Sequence, residues 1–141
     1  MEQELTIKSS RNAGRLKLSE SNEAGSGRSA EYLRVSLEDH QMSASCSRVY
    51  LYERHGLAAF FVDLASQWKG WAGEKKWNSV EDDFGLSCTS DGLGHVALRV
   101  KLKSGLDDDD WFVQTVIYID SGQLEELAVN VKAFLYSERA S

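Results

Sequence analysis

Four groups of residues have side chains of the kind that do chemistry. The stretch WKGWAGEKKW sets Trp68, Trp71 and Trp77 among Gly70, Gly73, Lys69, Lys75 and Lys76. Aromatic rings interleaved with cations can stack nucleic-acid bases. In an acidic chain the same residues better suit a tight helix-to-strand loop anchored by tryptophans, with the glycines adopting backbone conformations closed to other residues. If Trp71 or Trp77 is exposed there, it can anchor a protein interface.

The second group is acidic: Asp107, Asp108, Asp109 and Asp110, echoed by Glu81, Asp82 and Asp83. Adjacent carboxylates repel one another and are not buried unpaired, so both runs belong in solvated connections between strands. Three readings stand: a plain solvated loop, an electrostatic docking surface for a basic partner, or a divalent-metal site. The run lacks the alternating oxygens, central glycine and terminal glutamate of an EF-hand loop. The third group, His40, His55 and His95 with Cys46 and Cys88, has no two members at metal-ligand spacing. It also lacks an elbow, an oxyanion loop or an orienting third residue for nucleophilic catalysis. In the fourth, Gly92-Leu93-Gly94 has neither the following helix nor the lysine of a phosphate-binding loop. These residues point to no metal, no cofactor and no enzyme activity.

Strands and helices must position these groups. Leu5 and Ile7, then Leu16 and Leu18 after the Asn12–Gly14 turn, alternate with polar neighbours as an N-terminal hairpin does. A third strand lies in EYLRVSLED and a fourth over Met42–Glu53, dense in aromatic and β-branched residues. At Gly56 the period changes to 3.6. Leu57, Phe60, Phe61, Leu64, Ala65 and Trp68 form one apolar stripe, so the helix should bury Trp68 and end near Gly70. Strands are expected over Phe84–Thr89, His95–Lys103 and Trp111–Ile119, joined by loops at Asp91–Gly94 and Ser104–Asp110. A last helix opens at a capping Asp120 answered by Gln123, with Leu124, Leu127, Ala128, Val131, Phe134 and Leu135 on one face. The order ββββαβββα predicts an α+β fold, an antiparallel sheet of about seven strands with two helices packed on it.

At 141 residues and 42% hydrophobic, the chain fits one domain with one core. Ser19–Ser29, SESNEAGSGRS, reads as a mobile loop, and with no proline the turns rest on eleven glycines and on Asp, Asn and Ser. No run approaches the roughly 18 apolar residues of a membrane span, and the N-terminus lacks a secretion signal, so a cytoplasmic location is expected. Two cysteines are too few for a disulfide framework and are expected as free thiols. A net charge of −6 and a pI near 5.1 disfavour a nucleic-acid surface and suit a basic partner.

The segment from Leu57 through Val100, with FFVDLASQWKGWAGEKKW and DGLGHVALRV, resembles an uncharacterised bacterial domain family with a W-x-G-W-x-G…W…G-H-V pattern. With Trp111 and GQLEELAVNVKAFL the resemblance covers roughly residues 30 to 137. In layout, strands, helix, strands and C-terminal helix, the chain is also similar to the immunity proteins paired with wall-associated and contact-dependent toxins. That resemblance implies a binding protein that neutralises a cognate toxin by forming a protein–protein complex. The alternatives are a scaffold or a small-ligand-binding domain without catalysis. If the aspartate run steers such a partner, replacing Asp107, Asp108 and Asp109 with Asn leaves folding intact or slightly improved, because repulsion is relieved. In stopped-flow association at low salt the rate should then fall about tenfold. A wild-type rate that does not vary with salt and is unchanged in the variant assigns the run to solubility alone.

Overall fold

Period-two alternation of apolar residues builds eight strands in a computed structural model that describes residues 4–20, 32–52, 54–105 and 110–136. In chain order these are β1 (Glu4–Lys8), β2 (Arg15–Glu20), β3 (Tyr32–Asp39), β4 (Met42–Tyr50), β5 (Lys75–Asn78), β6 (Phe84–Ser90), β7 (His95–Lys103) and β8 (Phe112–Asp120). Helix α1 (His55–Ser66) lies between β4 and β5, and α2 (Leu124–Leu135) follows β8 after a single 3-10 turn at Ser121–Gln123. The fold is α+β, with a correction to the layout. The strands form two antiparallel sheets, β1-β2-β3-β4 and β5-β6-β7-β8, rather than one. The additional strand is β5, KKWN, too short and too rich in lysine to show alternation by itself.

Each sheet turns one apolar face inward, and the two faces share one core. Leu16 pairs with Leu37 and Leu18 with Val35 in the first sheet; Leu86 pairs with Val100 and Cys88 with Leu98 in the second. All of these side chains are buried, as are Leu57, Phe61 and Leu64 of α1 and Leu124, Val131 and Leu135 of α2. Each large side chain so buried contributes about 1.5–3 kcal/mol. On β4 the inward face runs through Met42, Ala44 and Cys46 and then changes parity to Val49. A bulge opposite Leu33 and Val35 inserts the residue that permits this.

Polar contacts join the sheets at their margins. The β1–β2 turn donates Ser10 N–H to Tyr118 O at 2.9 Å and Asn12 Nδ2 to Val116 O at 3.0 Å, both on β8. Thr115 of β8 donates its hydroxyl to the Asp39 carboxylate of β3, the first cause holding Asp39 below its ordinary pKa. The Cys46 thiol donates to Lys103 O at 3.1 Å. Arg54, buried at the start of α1, ties three elements: Nη1 donates to Leu135 O at 3.2 Å, and Nη2 lies 3.6 Å from Glu20 Oε1 at the end of β2. A buried pair of this kind is weak as a net source of stability, but removing one partner leaves a buried charge at a cost of about 3–5 kcal/mol.

Three boundaries differ from expectation. Ser19 and Glu20 belong to β2 rather than to a loop, and the rest of Ser19–Ser29 lies outside the described residues. Strand β4 ends at Tyr50, and Tyr52 takes a left-handed φ of 64° on the way into α1. Asp120 forms no capping hydrogen bond, because it is the last rung of β8, opposite His95. Helix α2 instead carries Glu125 and Glu126 in its first turn, where carboxylates offset the positive end of the helix dipole. No helix among the described residues is long and apolar enough to cross a membrane.

Both cysteines are free, and burial is the first cause raising each thiol's pKa: Cys46 to about 11, with Asp83's charge adding, and Cys88 to about 12 against the opposing charge of Lys75. A folded-state pKa above the unfolded value of 9.0 means that the neutral thiols favour the folded state fully below pH 9. That contribution is lost progressively as pH rises from 9 towards 11 and 12. Urea midpoints measured from pH 7 to pH 11 should therefore fall above about pH 9, with a smaller fall in Cys88→Ala. Equal falls in the two proteins contradict this linkage.

Candidate functional site

The two helices pack against each other through their buried stripes, which leaves a second, outward stripe uncovered. Val62 and Ala65 of α1 face Ala128 and Val129 of α2 across a groove of about 700 Å³, with Trp68 at one end and Glu125 and Lys132 on the rim. Val62, Trp68 and Val129 are 43%, 53% and 60% exposed. These apolar side chains stand open to solvent around the groove. Trp68 was expected in the core; the structure corrects that. Helix α1 stops at Ser66, and the Gln67 N–H turns back to Asp63 O and Leu64 O. Trp68 therefore leaves the helical phase that would have buried it. Its ring instead carries Lys69 Nζ at 5.6 Å.

Trp71 and Trp77, named from sequence as partner-binding residues, are half-buried, Trp71 in the loop between α1 and β5 and Trp77 on β5. The Trp71 indole N–H donates to Cys88 O at 3.3 Å, and its ring lies 5.6 Å from Lys75 Nζ. Trp77 meets Phe84 edge-on at 5.4 Å and lies close to Gly56 of α1. Gly70 and Gly73 adopt φ of 126° and 80°, the conformations for which the loop needs glycine. Among the described residues the exposed tryptophans are Trp68 and Trp111. Sequence reasoning missed the groove, because Val62 and Val129 fall off the stripes that identify the helices. An apolar residue on each polar face was the available signal.

Of the two acidic runs, Glu81, Asp82, Asp83 and Asp110 lie among the described residues. Asp83 accepts a 2.6 Å hydrogen bond from the Ser79 hydroxyl, and Asp82, at φ 60°, sits 3.8 Å and 4.0 Å from Lys101 and Lys103. Only Glu81 of that run is fully open. Asp107, Asp108 and Asp109 lie outside the described residues, and Asp110 is half-buried over Gly105. Of the chain's 22 acidic and 16 basic residues, fourteen of each lie among the described ones. The net −6 is therefore carried entirely by the remaining segments.

Asp91 and His95 serve the fold. Asp91 Oδ1 accepts the N–H of Leu93 at 2.7 Å and of His95 at 3.1 Å, and Oδ2 meets His95 Nδ1 at 2.8 Å. The Leu93 bond is the first cause holding the Asp91 pKa below its ordinary value. This cluster locks the β6–β7 hairpin. Both thiols are held as the neutral form, which is neither the nucleophile nor the metal ligand. Among the described residues no three His, Cys, Asp or Glu side chains stand together as a metal-holding group.

Because Trp68 is largely solvated, Trp68→Ala is expected to cost less than about 1 kcal/mol, against about 3–5 kcal/mol for a core tryptophan. Urea denaturation of the two proteins decides this. A loss of 3 kcal/mol or more, by the same scale, would return Trp68 to the core.

No curated protein matches the chain. Residues 7–138, from β1 to beyond the end of α2, match the model of DUF6228, a family of unknown function. The chain belongs to that family.

Proposed function

We propose that this chain is a non-catalytic binding protein that neutralises a cognate toxin by forming a protein–protein complex, docked through the groove between α1 and α2. The observation that carries the proposal is the set of open apolar side chains, Trp68, Val62 and Val129, around that groove. Tryptophan is the residue type most able to anchor an interface, since it buries much area at little conformational cost. The groove's polar groups, Ser66, Ser121, Glu125 and Lys132, form no nucleophile–base–orienter set. The similarity in layout to toxin-immunity proteins supports the same reading.

The occupant is an apolar ridge of a basic toxin. The chain's net charge of −6 attracts such a partner, and the acidic surplus, including Asp107, Asp108 and Asp109, steers encounter while Trp68 holds the bound state. A cytoplasmic location suits a protein that protects the cell making it. A second reading, a small-ligand carrier, is favoured by the groove's volume of about 700 Å³, within the range of ligand pockets.

Co-expression with the product of the adjacent gene tests both. The expected result is relief of that product's toxicity and a stable complex. Trp68→Ala with Val129→Lys should weaken the complex at least a hundredfold while the melting temperature stays within about 3 °C. Unaltered affinity in the double variant removes the groove from the account. A metabolite found bound by native mass spectrometry, and displaced by neither variant nor partner, favours the ligand reading.

A further inference from the structure

The outward face of the β5–β8 sheet carries a polar pit that shares no residue with the helix groove. The ladder registers place it in two adjacent rows. Lys76, Ser87 and Arg99 stand side by side across β5, β6 and β7. Asn78, Gly85, Lys101 and Gln114 do so across β5, β6, β7 and β8. Together with Glu74 they surround about 230 Å³. Gly85 supplies the floor. A Cβ there would lie 2.5 Å from Asn78 Oδ1 and 3.3 Å from Lys101 Cε, so any side chain at that position would occupy the pit.

Charge in the pit is opposite to that of the chain. Three cations line it against one carboxylate, Glu74, which is already engaged by the Ser87 hydroxyl and by Lys76 Nζ at 3.4 Å. Lys101 is held only loosely, sharing Asp82 with Lys103. The Ser87 hydrogen bond, then Lys76 and last the charge of Arg99 lower the Glu74 pKa, and Arg99 has no ion pair within 4.0 Å among the described residues. We infer that this pit is a subsite for a carboxylate side chain, Asp or Glu, presented by a partner polypeptide. Arg99 offers the planar fork that takes a carboxylate through two hydrogen bonds, and Lys101 and Gln114 add donors beside it. A phosphate is the poorer fit: the strand amides at the floor are committed to the ladder, no helix N-terminus points in, and Glu74 opposes a dianion.

The test uses the isotope-labelled full chain and hexaglutamate as the probe, followed by amide chemical shifts at low and physiological salt. The largest shifts should fall on Gly85, Ser87, Arg99, Lys101 and Gln114. Arg99→Gln should weaken the peptide at least fivefold. Lys8→Gln, the same charge change on exposed β1, should leave the affinity within twofold, and so should Trp68→Ala, which separates this subsite from the groove. Shifts spread evenly over the surface, or an Arg99→Gln effect no larger than that of Lys8→Gln, overturn the inference. So does inorganic phosphate that occupies the same amides as strongly as the peptide at equal ionic strength.

Discussion

Everything in the fold follows from two amphipathic sheets that can remove their apolar faces from water only by sharing one core. A four-stranded meander with one apolar face leaves that face in water until a second layer covers it. The chain therefore has to cross from the first sheet to the second, and α1 makes that crossing between β4 and β5. Its inward stripe, Leu57, Phe61 and Leu64, and that of α2, Leu124, Val131 and Leu135, complete the core. Arg54 meets both ends of this arrangement, bonding the last carbonyl of α2 and facing Glu20 of β2. Among the surfaces that remain outside the core are the far stripe of the helix pair and the outward face of the second sheet.

These two surfaces differ in chemistry in a way that net charge alone conceals. The described body is balanced in charge, so local arrangement decides what each patch can hold. The groove is apolar with an indole at its end, suited to burying a partner's side chains. The pit over Gly85 is cationic and hydrogen-bonding, suited to orienting one carboxylate. Trp71 and Trp77, although part of the same sequence pattern as Trp68, do a different job. Trp71 holds the loop that carries the chain from α1 into β5 and Trp77 packs β5 against Phe84, so these two are architectural, while Trp68 is left exposed.

Much of the fold was legible where one periodicity runs uninterrupted. His95–Lys103 alternates over nine residues and is the strand expected, with the same bounds. Leu57–Leu64 keeps the helical period and is buried along it. Legibility failed at ends and at short pieces. Trp68 fits the stripe arithmetically, but backbone hydrogen bonding at Gln67 ends the helix first, and periodicity does not register a C-terminus. Asp120 has a capping residue's chemistry but is consumed by the β7–β8 ladder. The division into two sheets is a matter of which strands pair across a helix, which no local pattern encodes. Of the residues singled out for binding, Trp71 and Trp77 are half-buried and Asp82 and Asp83 have partners within the fold, while the groove had only Val62 and Val129 as clues.

The central claim is that the helix groove, with Trp68, is where a protein partner binds. Hydrogen–deuterium exchange of the chain, alone and in complex with the adjacent gene's product, tests it most directly. The account predicts new protection over residues 62–68 and 121–132. Protection confined to other segments, with exchange in those two stretches unchanged by the partner, would contradict it.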